Sequence, residues 1–198
     1  AQLLHCAPKE LFFTSGGSEA DNQALLSAAA IGRQQGKRHI ISTAMEHHAI
    51  LHTLEALEEQ GFTITLLRPQ KDGIVTAAQV ADALTDETCL VSVMYANNET
   101  GAIQPIKEIG ALCRQRGVLF HTDAVQAAGH IDIDVQRDNI DMLSLSAHKF
   151  HGPKGVGLLF AKSSIQLTSL IRGGGQERGK RAGTENLPGI VGLAAAFK

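Results

Sequence analysis

Ser144-Leu-Ser-Ala-His-Lys-Phe-His-Gly-Pro-Lys-Gly-Val-Gly157 joins two apolar runs. Ile140-Asp-Met-Leu-Ser-Leu145 and Gly155-Val-Gly-Leu-Leu-Phe-Ala161 each read as a buried strand. Only about nine residues, Ala147 to Gly155, separate them, and a parallel crossover needs a dozen or more. The second strand, over Val156–Ala161, is therefore expected to run antiparallel to its neighbours. Lys149 falls just past the end of the first strand, where solvation alone is a poor reason for a lysine. Desolvation there would leave a neutral amine able to form a Schiff base with an aldehyde. Taken alone, the stretch reads equally well as an ordinary strand, loop and strand with a surface lysine.

Working outward, strands alternate with helices almost throughout. Leu11-Phe-Phe-Thr14 is a short strand, followed by Ser15-Gly-Gly-Ser18 and the alanine-rich run from Ala24 to Ile31. That order predicts a tight turn opening a helix, with Ser18 near its cap and free N–H groups suited to an anion such as phosphate. His39–Thr43, Gly61–Leu67, Cys89–Tyr95 and Val118–Gln126 read as further strands. Helices are expected from Glu46 to about Gln60, over Ala77–Leu84, and over Ile106–Arg116 with Gly117 as the stop. The sum is seven strands in one mostly parallel α/β sheet with one antiparallel strand and helices on both faces. Gly173 to Asn186, rich in glycine and arginine, reads as a loop that either holds an anion or is simply solvated.

The chain has 198 residues, 43% hydrophobic and 19% charged, with a formal net charge of −2. This is a globular composition with one sizeable core and no electrostatic reason to bind nucleic acid. No apolar run approaches a membrane span. Cys6, Cys89 and Cys113 are too few and too scattered for a disulfide framework, which points to a reducing, cytoplasmic setting, and Cys89 on a strand and Cys113 on a helix are expected to fill the core. The start at Ala1 and the stop at Lys198 within a helical pattern suggest a piece of a longer chain.

The polar residues gather where an open α/β sheet binds ligands, outside the carboxyl ends of its strands. Ser15–Ser18, Glu46–His48, Asn97–Glu99, His121–Gln126 and Ser146–Lys149 each follow a strand. A metal site built from His47, His48, His121, Asp123, His148 or His151 is the weaker alternative, because no compact ligand spacing is present. A serine hydrolase is weaker still, since no Gly-x-Ser-x-Gly elbow exists.

These segments together resemble the large domain of the NifS/IscS-type cysteine desulfurases, class-V members of the pyridoxal-phosphate enzymes. The resemblance rests on Phe13-Thr-Ser-Gly-Gly-Ser-Glu-Ala-Asp-Asn22, Glu46-His-His-Ala49, Asn97-Asn-Glu-Thr-Gly101, His121-Thr-Asp-Ala-Val-Gln126, the Ser144–Gly157 stretch and Gly173–Asn186. They span nearly the whole chain in the family's order. Gly17-Ser18 departs from the Ala-Thr of many relatives but keeps the hydroxyl. The resemblance implies a pyridoxal-phosphate transferase fold of type I, with residues 1–198 as a large domain lacking an N-terminal segment and a small domain. It implies that Lys149 holds the cofactor covalently and moves protons. Asp123 pairs with the pyridinium nitrogen, and His47 stacks on the ring and takes part in proton transfer. Gln126, with Asn98 beside it, meets the phenolic oxygen. Gly17, Ser18, Ser146 and His148 hold the phosphate. Thr184 reaches the phosphate of a neighbouring subunit, hence a homodimer.

The implied reaction of the complete protein removes sulfur from L-cysteine, giving L-alanine and a persulfide passed to a sulfur acceptor or iron–sulfur scaffold. Nucleic acid has no part beyond an indirect one in tRNA thiolation, and no membrane is involved. The family's persulfide cysteine and carboxylate-binding arginine have no counterpart in these 198 residues, so this chain alone is expected not to turn over. Competing readings are a selenocysteine lyase or another class-V aminotransferase, or a non-catalytic piece that binds a cofactor or partner.

Overall fold

A computed structural model describes residues 1–198. Seven strands form one sheet: β1 (Leu11–Thr14), β2 (His39–Thr43), β3 (Thr63–Leu67), β4 (Thr88–Ser92), β5 (Leu119–Asp123), β6 (Met142–Ser146) and β7 (Gly157–Ala161). Their spatial order is β1-β7-β6-β5-β4-β2-β3. Only β7 is antiparallel, to β6 on one side and β1 on the other, while β6, β5, β4, β2 and β3 pair in parallel. The short connection thus did set the strand's direction. Ser146 faces Gly157 across the resulting hairpin.

Helices are α1 (Gly17–Gln34), α2 (His48–Glu59), α3 (Ala77–Ala83), α4 (Ile106–Arg116), the single turn α5 (Gln176–Gly179) and α6 (Leu187–Ala196). The expected loop over Gly173–Asn186 is therefore interrupted by one short turn. It is irregular, with Glu177 and Arg178 at φ 44° and 56°. The start of α1 also differs from expectation. Gly16 occupies the cap position and Ser18 lies inside the helix, so its hydroxyl is not spent on capping.

Two cores lie on the two faces of the sheet. On one face Ala20, Ala24 and Ala28 of α1 and Ile50, Leu54 and Leu57 of α2 pack on Ile40, Leu90 and Met142. On the other, Val80 of α3 and Ile106, Ile109 and Cys113 of α4 pack on Ile41, Val91, Phe120 and Leu143. The small side chains of α1 let its backbone approach the sheet closely. At Gly32 a Cβ would lie 2.6 Å from Cys89 Cβ. At the other end of α1 a Cβ on Gly17 would lie 2.6 Å from Val125 Cγ2, which sets the helix start directly on the loop after β5. Cys89 and Cys113 fill the core as expected, while Cys6 is only half-buried. No helix is long and apolar enough to cross a membrane.

Candidate functional site

A cleft of about 240 Å³ opens at the carboxyl ends of the parallel strands. Nine of the ten predicted site residues line it: Gly17, Ser18, His47, Asn98, Asp123, Gln126, Ser146, His148 and Lys149. Thr184 does not. It lies in a neighbouring depression with Thr14, Ser15 and Arg181, exposed and outside this cleft. Of the wider metal-ligand set, no group of three or more His, Cys, Asp or Glu side chains is arranged to hold a metal ion.

Each wall follows from local structure. After β6 the chain turns into a 3₁₀ helix, Ala147–Phe150, closed by the Gly152 N–H donating to the Ala147 carbonyl at 2.8 Å. This turn lifts His148 and Lys149 out of the sheet, and both side chains are exposed. The sequence suggested a poorly solvated Lys149; the structure corrects this, because the one-turn helix carries the amine into the open mouth of the cleft. Ser146 Oγ and His148 Nδ1 lie 2.9 Å apart, so the two side chains orient one another.

His47 is the cap of α2, its Nδ1 accepting from the Ala49 N–H at 3.1 Å. That bond fixes the ring at the helix entrance and leaves Nε2 free of it. The loop after β2 is stapled to the loop after β4 by two bonds. Glu46 Oε1 accepts from the Met94 N–H at 2.9 Å, and Asn97 Nδ2 donates to the Met45 carbonyl at 2.9 Å. Asn97 Oδ1 also accepts from the Glu99 and Thr100 N–H groups, which turns Asn98 outward to the cleft. At the first loop, Glu19 accepts from the Ser15 N–H at 2.8 Å and from Arg181 Nε at 3.0 Å. The α1 entrance is thereby tied to the segment carrying Thr184.

The floor is charged and dry. Asp123 is 5% exposed, and its Oδ1 accepts from the Val125 N–H at 2.9 Å. Burial raises its pKa above the ordinary carboxylate value, against the Val125 bond and the positive charge of Lys149. Glu46 is pushed up to about 8, chiefly by burial. His121, assigned no catalytic role from sequence, is fully buried with Nδ1 2.9 Å from Ser92 Oγ and Nε2 3.0 Å from Ser144 Oγ. Burial lowers it to about 3, so it is a neutral packing histidine. His48 and His151 stay outside the cleft.

Sequence reasoning missed Asp21. It lines the cleft, is 1% exposed, and its Oδ1 has no hydrogen-bond partner. The available signal was helical spacing, since Asp21 sits four residues after Gly17 and shares the sheet-facing stripe with Ala24 and Ala28. A carboxyl in that stripe is out of place unless the site uses it.

The family model for aminotransferase class-V matches residues 1–198. The chain belongs to the class-V aminotransferase family. Among its relatives, "Cysteine desulfurase IscS" of Clostridium botulinum is 57% identical over 198 residues, all of this chain and 50% of that protein. "Cysteine desulfurase IscS" of Methanosarcina thermophila is 52% identical over 196 residues, 99% of this chain and 48% of that protein. Among solved structures, "SspA in complex with cysteine" superposes with TM-score 0.95 at 44% identity, covering 100% of this chain and 57% of that one. A "NifS-like protein" gives TM-score 0.95 at 41% identity, with 54% of its chain covered. The chain spans about half the length of these relatives.

Class-V aminotransferases and cysteine desulfurases depend on pyridoxal phosphate, and the residues of this class-V member fit that group. An exposed amine, Lys149, and a buried carboxyl, Asp123, share one cleft. Ser18, Ser146 and His148 supply hydroxyl and imidazole donors, and the side-chain-free Gly16–Gly17 turn opens an 18-residue helix whose first N–H groups favour an anion.

Proposed function

We propose that the complete protein is a pyridoxal-phosphate-dependent cysteine desulfurase, converting L-cysteine to L-alanine and passing its sulfur toward iron–sulfur cluster assembly. The observation that carries this reading is the joint placement of Lys149, Asp123 and His47 in one cleft. The names of the relatives at 57% and 52% identity support it.

When bound, pyridoxal phosphate supplies an aldehyde and an electron-withdrawing ring. The chain's own groups do the rest. Gly17, Ser18, Ser146 and His148 bind the phosphate, with the α1 entrance contributing backbone donors. Asp123 holds a proton on the ring nitrogen through a buried ion pair, and its Val125 bond keeps that carboxyl from turning away. Gln126 and Asn98 orient the phenolic oxygen. His47, fixed by its capping bond, stacks on the ring. Lys149 would hold the cofactor's aldehyde and would be the base and acid that moves a proton at the substrate's α-carbon.

None of the three thiols lines the cleft. Burial pushes Cys89 to about 11 and Cys113 to about 12, and raises Cys6 above its ordinary value. These thiols are protonated and remote, so sulfur is received by a group outside these 198 residues. On this reading the isolated 198-residue chain binds cofactor and cysteine but does not turn over. Thr184, outside the cleft of its own chain, serves a second copy, which makes the complete protein a homodimer. A sulfur acceptor or scaffold protein is the partner, and the setting is cytoplasmic.

The test is visible absorption. Added pyridoxal phosphate is expected to give a band tied to Lys149, and L-cysteine to shift it. A complete protein that loads the cofactor yet forms no alanine from cysteine refutes the assignment.

A further inference from the structure

Two carboxyl groups, Asp21 from α1 and Asp123 from the end of β5, line one cleft, and their surroundings are unequal. Asp123 accepts the Val125 N–H and faces the positive charge of Lys149. Asp21 has no cation near it. His121 on β5 brings Nε2 within 3.8 Å of Asp21 Oδ1, but that ring is wholly buried between two serine hydroxyls and stays neutral. Ser144 on β6 offers Asp21 only a hydroxyl. Glu46, before α2, adds a third buried carboxyl, and Asp21 Oδ1 and Glu46 Oε2 both lack hydrogen-bond partners.

Two buried carboxylates in one site cannot both ionise cheaply, and the proton settles on the member with the poorer partners. We infer that Asp21 is a positioning residue that acts through Asp123: it carries the proton of the pair as a neutral acid and leaves Asp123 the only ionised carboxylate on the cleft floor. This inference deepens the cofactor reading, because Asp123 is the group that reading sets against the ring nitrogen. No net proton is taken up or lost; the O–H bond stays on Asp21 while Asp123 meets the pyridinium. Burial, then the charge of Asp123, then that of Glu46, all push Asp21 well above the ordinary carboxylate range. His148 and Lys149 at the rim and His47 beside α2 are the remaining titratable groups of the cleft.

The arrangement makes a prediction that a packing role does not. Asparagine is a neutral near-isostere of what Asp21 already is. Asp21→Asn is expected to change the Kd for pyridoxal phosphate by less than about threefold, since no buried charge is added or removed. Asp123→Asn is expected to weaken it by tenfold or more. The decisive measurement is carbon-13 NMR of the complete protein, cofactor-free at pH 7 and labelled at aspartate carboxyl carbons, which leaves Glu46 silent. One aspartate in the acid form is expected, lost in Asp21→Asn and retained in wild type after cofactor loading. No acid-form aspartate in wild type, or one that persists in Asp21→Asn, overturns the inference, as does a loss of affinity in Asp21→Asn as large as that in Asp123→Asn. The wild-type count stands even if the variant fails to fold. Failure of the wild type to load cofactor sinks the cofactor reading instead, while the cofactor-free count still decides the state of Asp21.

Discussion

Glu46→Gln isolates the cost of one buried carboxyl. Glu46 is 6% exposed, Oε1 receives the Met94 N–H at 2.9 Å and the Thr43 hydroxyl at 2.8 Å, and Oε2 receives nothing. Burial carries it from the ordinary 4.5 to about 8. The sign follows from proton binding. Above pH 4.5 the unfolded chain releases this proton while the folded chain keeps it, so the folded state loses stability steadily until about pH 8. At about 1.36 kcal/mol per pH unit the loss approaches roughly 5 kcal/mol. A glutamine retains the carbonyl that accepts from Met94 and Thr43 but places an amide where Oε2 found no partner, a cost of about 1–3 kcal/mol. At pH 5 the variant should therefore be the less stable protein, and above pH 8 the more stable one, with a crossing in between. Urea denaturation of cofactor-free wild type and variant from pH 5 to 9 measures this. A difference between the two that does not vary with pH would refute the reasoning, because Asp21 and Asp123 titrate in both proteins and largely cancel.

Other outcomes are expected. Lys149→Ala should abolish the borohydride-trapped cofactor adduct, and mass spectrometry finding the label on Lys154 would overturn the anchor. Asp123→Asn in the complete protein should retain some bound cofactor yet lose most deprotonation of the substrate α-carbon, measured by solvent deuterium exchange into alanine; unchanged exchange would remove its role. Gly17→Ala places a Cβ 2.6 Å from Val125 Cγ2, and should cost about 1–3 kcal/mol in thermal unfolding and loosen the cofactor. Cysteine added to the 198-residue chain loaded with cofactor should shift its spectrum without sustained alanine release, and multiple turnovers would show that Cys6, Cys89 or Cys113 reaches the cleft.

The alternation of strands and helices was legible because β4 and β6 are buried at every position and mostly apolar, while β5 opens on Leu119-Phe120 before its polar end. The direction of β7 was legible from chain length alone. The five loops that build the cleft could be placed because a parallel sheet sends its strand ends to one edge. Two features were hidden for physical reasons. Lys149 is solvated because two residues of 3₁₀ turn, Ala147 and His148, separate it from β6, and turn type is set by the Gly152 bond rather than by local propensity. Asp21 stands in a polar run with Glu19 and Asn22, and the close seat of α1 on Val125 carries it into the floor.

That cleft also has a place in time. Its walls run from Gly17 to Lys149, with a helix between successive loops except the last two, where only turns separate the loops after β5 and β6. During synthesis Lys149 emerges only after six strands have left the ribosome, and contacts of such long sequence separation form late. Cofactor therefore cannot nucleate the fold. It can only reward a chain that is already assembled, by mass action on the native state. A nascent chain starved of cofactor should reach the same sheet at the same rate, and differ only in how often it reopens.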